Sequence, residues 1–85
     1  PETNEHSWYV EDLVGMKVRG PDDEPIGTVV AGFETAAHDV MEVSTEDGRR
    51  ALLPVIDDLI EDVDPEEGTI SVGDIAPYAV YDHED

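Results

Sequence analysis

Turn-forming residues recur so densely along this 85-residue chain that its longest apolar stretches are only a few residues. Gly20-Pro21-Asp22-Asp23-Glu24 separates the run Met16–Arg19 from the run Ile26–Phe33. Glu46-Asp47-Gly48 carries Asp-Gly, a strong local signal for a β-hairpin, between Val40–Ser44 and Arg49–Leu53. Pro54 ends that run, and Asp64-Pro65-Glu66-Glu67-Gly68 is a further turn before Ile70 and Val72. Met16 and Val18 alternate with Lys17 and Arg19, as in a half-buried strand. The Ile26–Phe33 run is β-branched without clean alternation, and its two glycines predict a bulge or bend. Ile56, Leu59 and Ile60 stand at helical spacing, enough for one apolar turn capping the end of a barrel.

These runs predict an all-β fold: a small barrel of about five or six short antiparallel strands with one short helical turn. Closure is favoured over an open sheet because it removes exposed strand edges. The expected core is Leu13, Met16, Val18, Ile26, Phe33, Val43, Leu53, Ile56, Leu59, Ile70 and Val72. Residues 1–7 read as a linker, 8–73 as the barrel, and 74–85 as a tail without clear pattern. The chain opens on Pro1 rather than Met, which predicts a segment of something longer.

Charge narrows the function. Twenty-three Asp and Glu stand against four Lys and Arg, a formal net charge of −19. Such a chain repels a phosphate backbone and an anionic membrane, so direct contact with nucleic acid or membrane by this domain is not expected. A basic partner or a saline solvent is the natural counterpart, and composition leaves both open. No Cys is present, which excludes disulfides and thiolate metal sites and fits a reducing cytoplasm. No apolar stretch approaches the about 20 residues of a membrane-spanning helix.

An ordered set of segments resembles the PRC-barrel, and more narrowly the C-terminal domain of the RimM family of ribosome maturation factors. They are Trp8-Tyr9-Val10-Glu11-Asp12-Leu13-Val14-Gly15, Pro25-Ile26-Gly27-Thr28-Val29 and His38-Asp39-Val40-Met41. Asp47-Gly48-Arg49-Arg50-Ala51-Leu52-Leu53-Pro54, Ile60-Glu61-Asp62-Val63-Asp64 and Gly68-Thr69-Ile70 follow. Trp8-Tyr9 stands where the family has two tyrosines, and Gly73–Tyr81 departs from the family's Pro-Pro, Gly and Leu ending.

The resemblance implies a non-enzymatic, cytoplasmic factor for assembly of the small (30S) subunit and processing of 16S rRNA. It also implies a basic partner in the subunit head, the ribosomal protein numbered nineteen, and an N-terminal barrel beyond this segment. Partner binding is then expected at Trp8 and Tyr9, with Glu11 and Asp12 beside them. Aromatic side chains are common binding anchors, although Trp8 could instead pack the linker onto the barrel. The alternative function is that of a generic PRC-barrel adaptor unconnected with ribosomes. A monomer without cofactor is expected.

Other candidate groups carry less. Asp57, Asp58, Glu61, Asp62, Asp64, Glu66 and Glu67 form the densest acidic stretch, but without the spacing of an EF-hand loop, so a solvated face is expected. His6, His38 and His83 lack metal-ligand spacing. His38 beside Asp39 could form an acid–base pair, with a turn-stabilising role the commoner one. Ser7, Ser44 and Ser71 have no nucleophile-elbow context. Gly15, Gly20, Gly27 and Gly32 form no phosphate-binding pattern. Lys17, Arg19, Arg49 and Arg50 are too few to hold RNA, and Lys17 and Arg19 are expected to point outward.

Overall fold

The computed structural model describes residues 10–81. A 3-10 turn, Val10–Leu13, precedes seven strands: β1 Lys17–Arg19, β2 Pro25–Glu34, β3 Asp39–Thr45, β4 Arg50–Val55, β5 Ile60–Asp64, β6 Thr69–Val72 and β7 Val80–Tyr81. They form one sheet in the order β5-β6-β1-β2-β3-β4-β7. The all-β class predicted from the turn pattern stands, with differences in detail. The seventh strand is only two residues long. β1 and β6 pair in parallel, with Val18 opposite Ile70, whereas every strand was expected to be antiparallel. Parallel partners need a long crossover, and here β2 to β5 supply it.

Among the described residues the hydrogen-bonded ladder does not close, because β5 and β7 stand at its two ends. The edges that closure was expected to remove are blunted by other means. β7 is too short to template much pairing, and β5 carries a register irregularity between Ile60 and Asp62 with Glu61 and Asp62 exposed.

The helical spacing at Ile56, Leu59 and Ile60 produces a turn rather than a helix. The Leu59 and Ile60 amides both donate to the Ile56 carbonyl, at 3.1 and 2.9 Å. Leu59 is fully buried there, as expected of an apolar cap. The one 3-10 turn lies instead at Val10–Leu13, where Val10 and Leu13 face the core and Glu11 and Asp12 face solvent.

Cross-strand register sorts side chains onto two faces, since directly opposed residues share a face. Val63–Ile70–Val18–Gly27 and Val29–Val43–Ala51 run across the inner face. The core comprises Val10, Leu13, Val18, Val29, Met41, Val43, Leu53, Leu59, Ile70 and Val72. Met16, Ile26 and Ile56 pack against it while half-exposed. Phe33, expected in the core, is 46% exposed. The reason is a bulge in β2: register slips between Val29 and Ala31, leaving Val30 unpaired and reversing the alternation beyond it. Gly32 then takes the inward position opposite Met41, and Phe33 is turned out opposite Val40. A Cβ on Gly32 would lie 2.7 Å from Val10 Cγ2, so the 3-10 turn seats directly on this glycine. Gly27 is buried where a side chain would collide with the Ser44 carbonyl of β3.

The segment read as a patternless tail also contributes. Ile75, Tyr78 and Ala79 pack on the core, and the Tyr78 and Ala79 amides donate to the Ile75 carbonyl at 2.9 and 2.8 Å. That turn delivers β7 to β4, where Ala51 faces Tyr81 and Leu52 faces Val80.

The β3–β4 hairpin turns at Asp47-Gly48 with Gly48 at φ 90, the left-handed geometry that Asp-Gly signalled. Thr45 Oγ1 donates to Asp47 Oδ1 at 2.5 Å and accepts from the Arg49 amide at 2.9 Å. The Thr45 hydroxyl, with the Arg49 guanidinium beside it, holds the Asp47 carboxyl below the usual carboxylate range. Its folded value lies below its unfolded one. The stabilisation is therefore present above the unfolded value and lost as pH falls through the folded value.

Two predictions follow from this packing and this turn. Leu59→Asp places a charge at a fully buried site and is expected to cost about 3–5 kcal/mol in urea unfolding, against under about 1 kcal/mol for Phe33→Ser. Thr45→Val is expected to raise the Asp47 pKa towards the ordinary carboxylate value in an NMR titration, while Thr45→Ser leaves it depressed. An unmoved Asp47 in the valine variant would contradict the assignment.

Candidate protein-docking surface

Negative charge dominates the exterior because most of the few cations are engaged within the chain. Arg19 Nη1 donates to the Asp23 carbonyl at 3.1 Å and lies 3.7 Å from its carboxylate. Arg49 Nε donates to Asp47 at 3.2 Å, with its guanidinium 4.7 Å from the centre of the Tyr81 ring. Arg50 Nη1 donates to Glu42 at 2.9 Å. Such exposed pairs add little stability, about 0–1 kcal/mol each. Their consequence is electrostatic: three of the four cations are neutralised locally.

Lys17 and Arg19 point outward, as their alternation with Val18 predicted, although Arg19 is half-buried. Lys17 lies in a polar row crossing the outer face from Asp64 through Thr69, Lys17, Thr28 and Ser44 to Arg50. Ser44 and Ser71 both lie on this outer face, paired opposite Arg50 and Arg19 rather than beside a histidine.

The acidic stretch does not gather into one cage. Asp57 and Asp58 lie in the β4–β5 turn, Glu61 and Asp62 on the β5 edge, and Glu66 and Glu67 in the β5–β6 turn, all exposed. Asp64 organises the last turn, its Oδ1 accepting from the Glu66 and Glu67 amides at 3.2 Å each. Among the described residues no group of three or more His, Cys, Asp or Glu is placed to hold a metal ion. His38 is tied into the β2–β3 turn, where its Nδ1 lies 3.0 Å from the Asp39 carbonyl rather than the Asp39 carboxylate. Its amide donates to Thr35 Oγ1 at 3.1 Å, while that hydroxyl donates to the His38 carbonyl.

Of the residues singled out for partner binding, Trp8 and Tyr9 lie outside the described residues. Glu11 and Asp12 stand side by side and exposed on the 3-10 turn, held there by the burial of Val10 and Leu13. The reading by pattern missed a shallow groove of about 230 Å³ at one end of the barrel. Ile26 and Ile75 supply its apolar lining, and Asp47, Arg49 and Tyr81 its polar side. Tyr81 and Ile75 reach it only through the C-terminal segment, whose sequence carries no periodicity to reveal the placement.

Comparison with known proteins agrees with this architecture. The sequence profile of the RimM PRC barrel domain matches residues 10–74. The ribosome maturation factor RimM of Staphylococcus epidermidis is 42% identical over 71 residues, which cover 84% of this chain and 41% of that protein. RimM of Chromobacterium violaceum is 38% identical over 72 residues, covering 85% of this chain and 43% of its own length. The crystal structure of RimM from Pseudomonas aeruginosa, described as a 16S ribosomal RNA processing protein, superposes with a TM-score of 0.76 at 29% identity. That match covers 92% of this chain and 50% of the Pseudomonas chain. The chain thus spans less than half the length of these two curated relatives. With the profile match running from the 3-10 turn through the last long strand, this chain belongs to the RimM PRC barrel domain family.

Proposed function

We propose that this chain serves maturation of the small ribosomal subunit in the cytoplasm by binding a basic protein of the subunit head, the one numbered nineteen, and not by catalysis. One observation carries the reading: a member of a family whose relatives are named ribosome maturation factors presents a chain of net charge −19 with three of its four cations internally paired. Such a surface attracts a cationic polypeptide and repels rRNA. It suits a module that engages a ribosomal protein while leaving the polynucleotide to other parts of the assembly. Attraction of this kind raises the rate of encounter more than the final affinity.

Trp8 and Tyr9 act as anchors in this reading, with Glu11 and Asp12 directing the partner's cations towards them. The exposed pair of carboxylates on the 3-10 turn, immediately after the two aromatics in sequence, supports that division of labour. His38 and the serines at 44 and 71 are held in a turn and in sheet rows, which supports binding over chemistry.

The test is co-sedimentation of the chain with purified small subunits. The double substitution Trp8→Ala with Tyr9→Ala is expected to weaken retention at least about tenfold, as loss of aromatic anchors does, and to leave the circular dichroism spectrum unchanged. Retention equal to that of the unsubstituted chain would defeat the anchor assignment. Association with the isolated basic protein is expected to slow as salt rises while dissociation changes less. Tight capture of naked 16S rRNA with indifference to the protein would overturn the reading as a whole.

A further inference from the structure

The bulge at Val30 has an effect on the outside of the sheet as well as the inside. Beyond it, Phe33, Val40 and Pro54 are aligned directly opposite one another on the outer face of β2, β3 and β4. The next outward row holds Ala31, Glu42, Leu52 and Val80, crossing from β2 to β7. Two apolar rows thus lie side by side on a sheet face with no element packed over them among the described residues. Phe33 is 46% and Val80 61% exposed, while Val40, Leu52 and Pro54 are half-exposed. The single charge within the rows, Glu42, is bonded to Arg50 at 2.9 Å. At the hairpin end Glu34 faces Asp39, and among the described residues neither is ion-paired.

Exposed apolar rows rimmed by carboxylates mark an interaction surface on a chain otherwise covered in charge. The chemistry of the occupant follows from that rim. A second copy would bring another net charge of −19 against the first, and nucleic acid or anionic lipid would meet the same repulsion. A polypeptide with cationic side chains around an apolar one is complementary in both respects.

We propose that the outer face of β2, β3, β4 and β7, with Phe33, Val40 and Pro54 in one row and Ala31, Leu52 and Val80 in the next, docks a basic protein. The partner sets an apolar side chain against the rows and its cations against Glu34 and Asp39. The inference rests on the functional reading above and adds the face on which the barrel itself engages its partner.

The experiment measures binding of the chain to purified small subunits, and to the isolated head protein numbered nineteen, for three forms. These are the unsubstituted chain, Phe33→Ser with Val80→Ser, and Val14→Ser. Val14 is a 44% exposed valine outside this face and serves as the control. The double variant is expected to bind at least about tenfold more weakly, and the control to match the unsubstituted chain. Equal binding by the double variant, with the unsubstituted chain bound, overturns the docking face and leaves the functional reading standing. No binding by the unsubstituted chain overturns both.

Should the double variant fail to fold, hydroxyl-radical labelling of the unsubstituted chain decides the matter. Phe33 is expected to lose reactivity when subunits are added, and unchanged labelling overturns the proposal. A dimer in sedimentation equilibrium that the double variant disperses would assign the face to a second copy. Loss of binding to naked 16S rRNA in the double variant would assign it to nucleic acid. Either result overturns the proposal.

Discussion

A one-residue slip in β2 organises much of this barrel. Without the unpaired Val30, alternation along β2 would carry Phe33 inward and Gly32 outward. With it, the inward position opposite Met41 falls to a residue with no side chain, and the 3-10 turn settles into the space so left. Val10 and Leu13 thereby enter the core, which fixes Glu11 and Asp12 in solvent. The same slip aligns apolar residues on the opposite side of the sheet. The inner packing, the orientation of the N-terminal turn and the character of the outer face are three results of one local irregularity.

Local chemistry was the legible part of this sequence. Asp47-Gly48, Gly20–Glu24 and Asp64–Gly68 are turns whose geometry depends on neighbours within a few residues, and each forms where its residues demand. Alternation also placed Val18, Val43, Leu53, Ile70 and Val72 in the core. What was not legible depends on partners far away in sequence. The two glycines of β2 announced a bend but not its position, and the parity of Phe33 turned on that position. The parallel pairing of β1 with β6 and the return of Val80–Tyr81 to β4 are set by tertiary packing, for which a three-residue and a two-residue strand carry no periodic signal. Of the candidate site, the charge was evident from composition, whereas the apolar rows exist only once register is known.

Electrostatics and packing divide the molecule cleanly. No polar or charged residue is buried among the described residues, so the carboxylates lie at the surface, where solvent and salt screen their mutual repulsion. The interior is held by aliphatic contacts from both halves of the sheet, with Leu59 and Ile75 approaching from turns rather than strands. Acidity can therefore vary with partner or solvent without disturbing the interior. The three arginines each lie close to a carboxylate in a turn or on a neighbouring strand, which relieves repulsion where the backbone folds back on itself.

The three residues of β1 join two units that are each built from neighbouring strands: the β5–β6 hairpin and the β2–β3–β4 meander. Each unit can zip up by closing short loops. Pairing Val18 with Ile70 instead requires most of the intervening chain to be gathered first. The slow event in folding is accordingly the meeting of two preformed ribbons across this short seam. A chain emerging in order of synthesis meets its last requirement only when β6 arrives, so the N-terminal strand must wait, half-partnered, for nearly the whole domain to be made.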